Sequence, residues 1–323
     1  MVQPRSDRRR KDSAGTRAGP EKSGRVGNRG VPAEQGDSVG SSAALKKALS
    51  AAVAERGREF LPSDPLEFAH RFRSFKDREA AAFIAASFAF GNVTQIRSFL
   101  SRFFDALGPS PHKAIAGPLP LPERRIAGLY HRFISEGGVR RFLGCMRKAY
   151  LAHGNLESMF RKGMDGPCTD MREALARFLD GFRAAWGGAL PRQRNFLFPD
   201  PRRGSACKRH NLFLRWMVRG GDGIDLGIWT ALSTRDLVVP LDTHMIRMGR
   251  LLGLTRRVTP GWRMAEEITA AFRAVCPEDP VKFDFALTRI GILKECSPGR
   301  VEACAICAIK GVCARARLSG IGN

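Results

Sequence analysis

From Ser42 onward the apolar residues recur at helical spacing and almost never alternate. A period near 3.6 residues puts an apolar stripe on one face of a helix, whereas alternation marks a half-buried strand. A chain patterned this way is restricted to an all-α fold. Ser63-Asp64-Pro65 reads as a helix start, with the carboxylate as cap and proline at the first helical position. Lys76 to Phe90 is apolar on most sides and predicts a buried helix that Gly91 ends. Gln95 to Leu107 predicts the next, stopped by Gly108-Pro109, and Arg140 to Ala152 and Thr169 to Trp186 follow. Met264, Ile268, Ala271, Phe272 and Val275 recur at helical spacing before Pro277. Gly/Pro breaks near 108–122 and 187–205 are the candidate boundaries between two lobes, and no internal repeat is seen.

Residues 1–42 are rich in Gly, Ser, Arg and Pro and hold almost no large apolar side chain, so a disordered basic tail is expected there. The folded domain is expected over 43–315, with 316–323 as a second tail. The chain of 323 residues carries a net charge of +23, and its tail accounts for little of it, with nine Lys/Arg against five Asp/Glu. A surplus of that size points to a polyanionic partner, nucleic acid first and an anionic membrane surface second; scattered solubilising arginines are the plainer alternative. The longest apolar run, Ala80 to Phe90, is far short of the roughly 20 residues that span a bilayer. No apolar core follows the N-terminal basic residues, so a secretory signal is not expected. A cytoplasmic, nucleoid-associated and monomeric protein is the expectation.

Eight cysteines in such a chain suggest metal ligation more than disulfides. Cys296, Cys304, Cys307 and Cys313 are spaced C-x7-C-x2-C-x5-C, close enough in sequence for four thiolates to surround one centre. Zinc sites usually pair two tight knuckles, whereas only Cys304 and Cys307 form one here. The uneven spacing suits a 4Fe-4S cluster, with one thiolate per iron, and zinc stays as the alternative. Cys145, Cys168, Cys207 and Cys276 are scattered and read as small core residues.

In GSACKRHNLFLRWMVR, small residues at Gly204, Ser205 and Ala206 precede a helix with Leu212, Phe213, Trp216 and Met217 on its buried side. Lys208 falls in its first turn, where the helix dipole does not favour a cation. A lysine in an apolar cleft at such a position suits an amine nucleophile; a solvated lysine is the plainer reading. In VVPLDTHMIRMGRLLGL, Asp242 stands at the mouth of a helix whose Met245, Met248 and Leu252 share a face and which Gly253 closes. A capping Asp is worth about 1 kcal/mol. Capping and catalysis are compatible, because a cap holds the carboxylate in place.

PLDTHMIRMGRLLGL resembles the VDTHV-x-R-V-x-x-R-L-G-L segment of helix-hairpin-helix DNA glycosylases of the endonuclease III type. Gly204 to Asn211 is similar in outline to that family's G-V-G-x-K-T-A hairpin, and the cysteines match its cluster with one extra residue in the first gap. The resemblance covers Gly204 to Cys313. It implies a two-lobed helical fold with a degenerate helix-hairpin-helix and a cluster loop over 296–313. It also implies base excision on damaged duplex DNA, with Asp242 as the essential acid and Lys208 as the Schiff-base lysine. Gly204, Ser205, Arg209, His244, Arg247 and Arg250, with Lys282, become candidate DNA contacts, and Trp216 and Trp229 candidates to line a base pocket or pack the core. A longer insertion, GGDGIDLGIWTALSTRDLVV, separates Lys208 from Asp242. Asn92 is the nearest residue to the glutamine with which that family fills the gap left by an extruded base. From Arg58 to Ala314 the chain also resembles an uncharacterised bacterial family, known only as a domain of unknown function. KRHNLFLRWMVR, DLGIW, PLDTH and DPVKFDFAL carry that likeness.

Overall fold

The computed structural model describes residues 42–119, 122–164, 166, 168, 170–293, 296 and 302–320. The expected basic tail lies outside them, apart from Ser42. In chain order the helices are α1 Ser42–Ala54, α2 Glu67–His70, α3 Phe75–Ser87, α4 Val93–Leu107 and α5 Pro111–Ala116. Then come α6 Glu123–Ile126, α7 Glu136–His153, α8 Leu156–Lys162, α9 Met171–Trp186 and α10 Pro191–Leu197. Last are α11 Lys208–Val218, α12 Thr243–Leu251, α13 Trp262–Val275, α14 Asp284–Ile292 and α15 Ala314–Leu318. Among the described residues there is no strand, only a bridge between His131 and Ile134. The fold is all-α, and the described residues form one unit.

Short polar side chains set the helix starts. Ser74, Asn92, Ser135, Asn155 and Asp170 each accept a backbone N–H from the first turn of the helix that follows. Asn92, the nearest candidate for the gap-filling residue, is thereby the cap of α4, its Oδ1 taking the Thr94 N–H at 2.9 Å. Helix α3 stops at Ser87, three residues before the expected end, and Ala89, Phe90 and Gly91 run on as a short loop. The Asp64 carboxylate does accept the Leu66 N–H, at 2.9 Å, but the helix proper begins at Glu67. The expected breaks at 108–122 and 187–205 hold the short helices α5 and α10, each with a proline at its start. The expected tail from 316 is part of α15, which buries Ala316.

Helices α3 and α11 cross at the centre. Every residue of α3 from Glu79 to Ser87 is buried, and its alanines permit close approach. The Phe83 ring is the hub, with the rings of Phe142, Phe182 and Phe213 centred 5.7, 4.9 and 5.0 Å away. A second group forms where α1 packs on α13, α14 and the short turn Lys310–Val312, with α12 against α14.

Candidate active site

Asp242 is the N-cap of α12, its Oδ1 accepting the Met245 N–H at 2.7 Å, and it is half-buried. Met245, Met248 and Leu252 are buried beneath it, as their spacing predicts. Leu254 N–H bonds back to the Gly249 carbonyl at 2.7 Å, and Gly253 takes a left-handed φ of 67°, so the helix closes where expected.

Lys208 opens α11 and is half-buried, its Nζ donating to the Ala89 carbonyl at 3.4 Å. Ahead of it Gly204 is left-handed, with φ 89°, and Cys207 shares that region at φ 46°. The hairpin is held from both sides: the Asn211 side chain donates to the Ala206 carbonyl, and Trp262 N–H donates to that of Gly204. A short 3-10 turn, Pro201–Arg203, precedes it. No hydrogen bond or ion pair joins Lys208 to Asp242 among the described residues.

Arg209 departs from the expectation of a DNA contact. It is buried, its guanidinium donating to the Ser87 carbonyl at 2.6 Å and to that of Phe196, and lying 4.2 Å from the Phe196 ring centre. Burial lowers this guanidinium to about 9. Helix α11 is in fact buried nearly all round, with only Lys208 and Leu212 partly open. His210 is among its buried residues, and burial keeps the imidazole well below its usual range and neutral.

The second half of α11 anchors an ionic network that spacing did not reveal. Arg215 pairs with Asp225 at 3.1 Å and with Asp284 at the head of α14. Arg219 pairs with Asp222, Asp225 and Asp279. Arg289 pairs with Asp64 at 2.5 Å. Burial opposes the charge on Arg215, yet Asp225 and Asp284 hold it above its usual range. Burial pushes the Asp284 carboxyl up to about 6, with Arg215 opposing and Asp242 adding to the rise. Asp284 therefore stands within electrostatic reach of Asp242 and is tied to the helix that carries Lys208.

The same network accounts for the insertion between Lys208 and Asp242. Asp222 and Asp225 fix its start, and two buried glutamates fix its middle. Glu79 of α3 accepts from Trp229 Nε1 at 2.9 Å and from the Leu156 and Glu157 N–H groups. Glu157 accepts from the N–H groups of Thr230 and Ala231. Burial pushes Glu79 up to about 7. Trp229 thus packs in the core against Phe213, and Trp216 is fully buried, so neither lines an open pocket.

His244 lies in the first turn of α12 with its ring against Gly291 of α14, where any Cβ would collide with it. Arg250 is exposed and donates to the carbonyls of Arg257 and Val258, holding that loop, whereas Arg247 is half-buried and Lys282 exposed. A separate cavity of about 380 Å³ lies between the start of α9 and α13, lined by Cys168, Arg172, Arg235, Asp236, Trp262 and Glu266 among others. Neither Lys208 nor Asp242 lines it.

Cys296, Cys304 and Cys313 are buried and Cys307 half-buried, all as free thiols. Burial pushes the Cys307 thiol up; an N–H bond from Ile309 opposes this, and the nearby Cys313 and Cys296 add to it. Among the described residues no three His, Cys, Asp or Glu side chains stand close enough to hold one metal ion. No helix is long and apolar enough to cross a membrane.

Comparisons with curated proteins and with solved structures find no match. Residues 64–293 do match one family model, described as a protein of unknown function, DUF2400, and since they make up most of the chain, the chain belongs to that family.

Proposed function

We propose that this protein is a DNA glycosylase and AP lyase with a two-lobed, glycosylase-like arrangement of its helices. The observation that carries the reading is Asp242: a carboxylate fixed by its cap bond yet half open to solvent, in a chain of charge +23. The order of hairpin lysine, aspartate and cysteine quartet along the chain supports it.

In this reading duplex DNA binds through phosphate contacts from Gly204, Ser205, His244, Arg247 and Arg250. A damaged nucleotide leaves the stack. Asp242 takes the Lys208 ammonium proton and stabilises the positive charge growing on the sugar. Lys208 Nζ bonds to C1′ as the glycosidic bond breaks, and the base departs with the electron pair and a proton. The resulting imine acidifies C2′; loss of that proton breaks the 3′ C–O bond and nicks the strand. Cys296, Cys304, Cys307 and Cys313 would hold a 4Fe-4S cluster, which fixes the C-terminal loop rather than joining the chemistry.

Borohydride trapping on duplexes with an abasic site or oxidised bases tests this. The expected result is a covalent adduct that Lys208→Ala abolishes and Asp242→Asn reduces at least a hundredfold. Strand cleavage that persists in Lys208→Ala overturns it. A second reading, a non-catalytic nucleic-acid-binding protein, is favoured by the Lys208–Ala89 bond and the lack of any Lys208–Asp242 contact. DNA binding without an adduct or base release is its signature.

A further inference from the structure

The cavity of about 380 Å³ beside the start of α9 gathers charges of both signs that do not pair with one another. Arg172, Arg235 and Arg273 line it, and so do Asp170, Asp236 and Glu266. Among the described residues no ion pair joins any of these arginines to any of these acids; Arg235 pairs instead with Glu278, which does not line the cavity. Arg172 and Arg273 have only carbonyl partners. Arg172 donates from Nε to the Pro201 carbonyl at 3.0 Å and from Nη2 to that of Arg202 at 2.7 Å. Arg273 donates from Nη2 to the Arg235 carbonyl at 3.1 Å. A guanidinium carries five N–H donors in a fixed fork, so both side chains are held in place with donors to spare.

The acids are spent by half in the same way. Asp170 Oδ1 accepts the Arg172 and Glu173 N–H groups at 2.8 and 3.2 Å, and Asp236 Oδ2 accepts that of Ser233 at 2.9 Å. Glu266 Oε1 accepts from Trp262 Nε1 at 2.6 Å. The other oxygen of each carboxylate takes no hydrogen bond among the described residues. Two of these acids stand together at the Cys168 thiol, which burial pushes up to about 11 with Asp236 and Asp170 adding to the rise. Met171, Val238, Trp262 and Thr269 line the same space and are buried. The cavity is thus walled by fixed groups with unused donors and acceptors, an arrangement that lowers the ordering cost of binding.

A simple anion here would meet three carboxylates, and a simple cation three guanidiniums. A molecule that bears both charges finds a partner for each. We infer that this cavity binds a small zwitterion, a free α-amino acid, with its carboxylate on Arg172 and Arg273 and its ammonium on Asp170 and Asp236. Near neutral pH a free amino acid carries both charges. Arginine is the side chain whose fork matches a carboxylate. Cavities that take small molecules run from about 300 to 1,000 Å³, so this one suits a ligand at the small end. Neither Lys208 nor Asp242 lines it, and the inference does not depend on the DNA reading.

The test is titration calorimetry of the full chain with free amino acids, one at a time, and then with the N-acetyl and amide derivatives of the tightest. The first derivative lacks the ammonium and the second the carboxylate, so each should bind at least about tenfold more weakly than the parent. Arg273→Gln and Asp236→Asn should each weaken the parent by a similar factor. Arg273 is exposed, and Asn keeps an oxygen for the Ser233 N–H, so both variants should melt as the wild type does. Derivatives that bind as tightly as the parent overturn the inference, and so does a wild type that binds no free amino acid. Inorganic phosphate that binds more tightly than every amino acid, and is lost with Arg273→Gln, makes this an anion site and overturns it as well.

Discussion

Glu79 shows how a single residue can hold a distant segment in place. It sits in a helix whose next seven residues are alanine, phenylalanine and isoleucine, and it receives three hydrogen bonds, two of them from the start of α8. Burial pushes its carboxyl up to about 7 from the ordinary 4.5. Between those values the folded protein keeps a proton that the unfolded chain has released, so this group favours folding increasingly as pH falls through the window. Thermal melts of wild type and Glu79→Gln at about pH 5 and about pH 8 should show the wild type gaining on the variant at the lower pH. A difference in Tm that does not change with pH refutes the assignment. From sequence, Glu79 is one acid in an apolar run, and nothing in its spacing announces that its partners lie at Leu156 and Trp229. Arg209 misled for the same reason. A cation beside a hairpin reads as a phosphate contact, and only the tertiary fold reveals that carbonyls from α3 and α10 surround it.

Among elements, helices were legible and their mutual contacts were not. The periodicity and the capping residues locate α4, α7, α9, α12 and α13 to within a few residues, because those signals are local. The α3 end was missed because the apolar run continues past the last helical turn as a buried loop. The insertion before Asp242 looked like surplus chain, yet its acids neutralise Arg215 and Arg219. The approach of α12 to α14 likewise depends on Gly291, with no room for a side chain over His244. Gly291→Ala should therefore destabilise the protein by about 1–3 kcal/mol in chemical denaturation, as overpacking does. It should also lower the yield of the borohydride adduct, since the displaced turn carries Asp242. Adding His244→Ala should restore most of the stability. An unaltered denaturation midpoint in Gly291→Ala would contradict the contact.

At the scale of the whole molecule, composition already states the dominant property. A charge of +23 over 323 residues makes association with a polyanion electrostatic in origin. Binding to intact duplex DNA should weaken steeply with salt, with a slope of log affinity against log salt on the order of −5. A slope near zero in fluorescence titrations would remove nucleic acid as the partner. The all-α class was legible at this scale too, because strand-like alternation is missing over most of the length. The placement of Lys208 and Asp242 was legible only one at a time: each sits at a helix start, as its motif suggests, but the link between them through Arg215 and Asp284 belongs to the tertiary structure.

Helix α1 lies before the family-matched segment, yet Leu45, Leu49 and Ala52 are buried where it packs on α13, α14 and the turn at Lys310–Val312. Chains emerge from the ribosome from the N-terminus onward, at about 5–20 residues per second. Helix α1 must therefore wait, apolar stripe uncovered, for partners made more than two hundred residues later. Until then α1 is an uncovered apolar segment of the kind that chaperones bind.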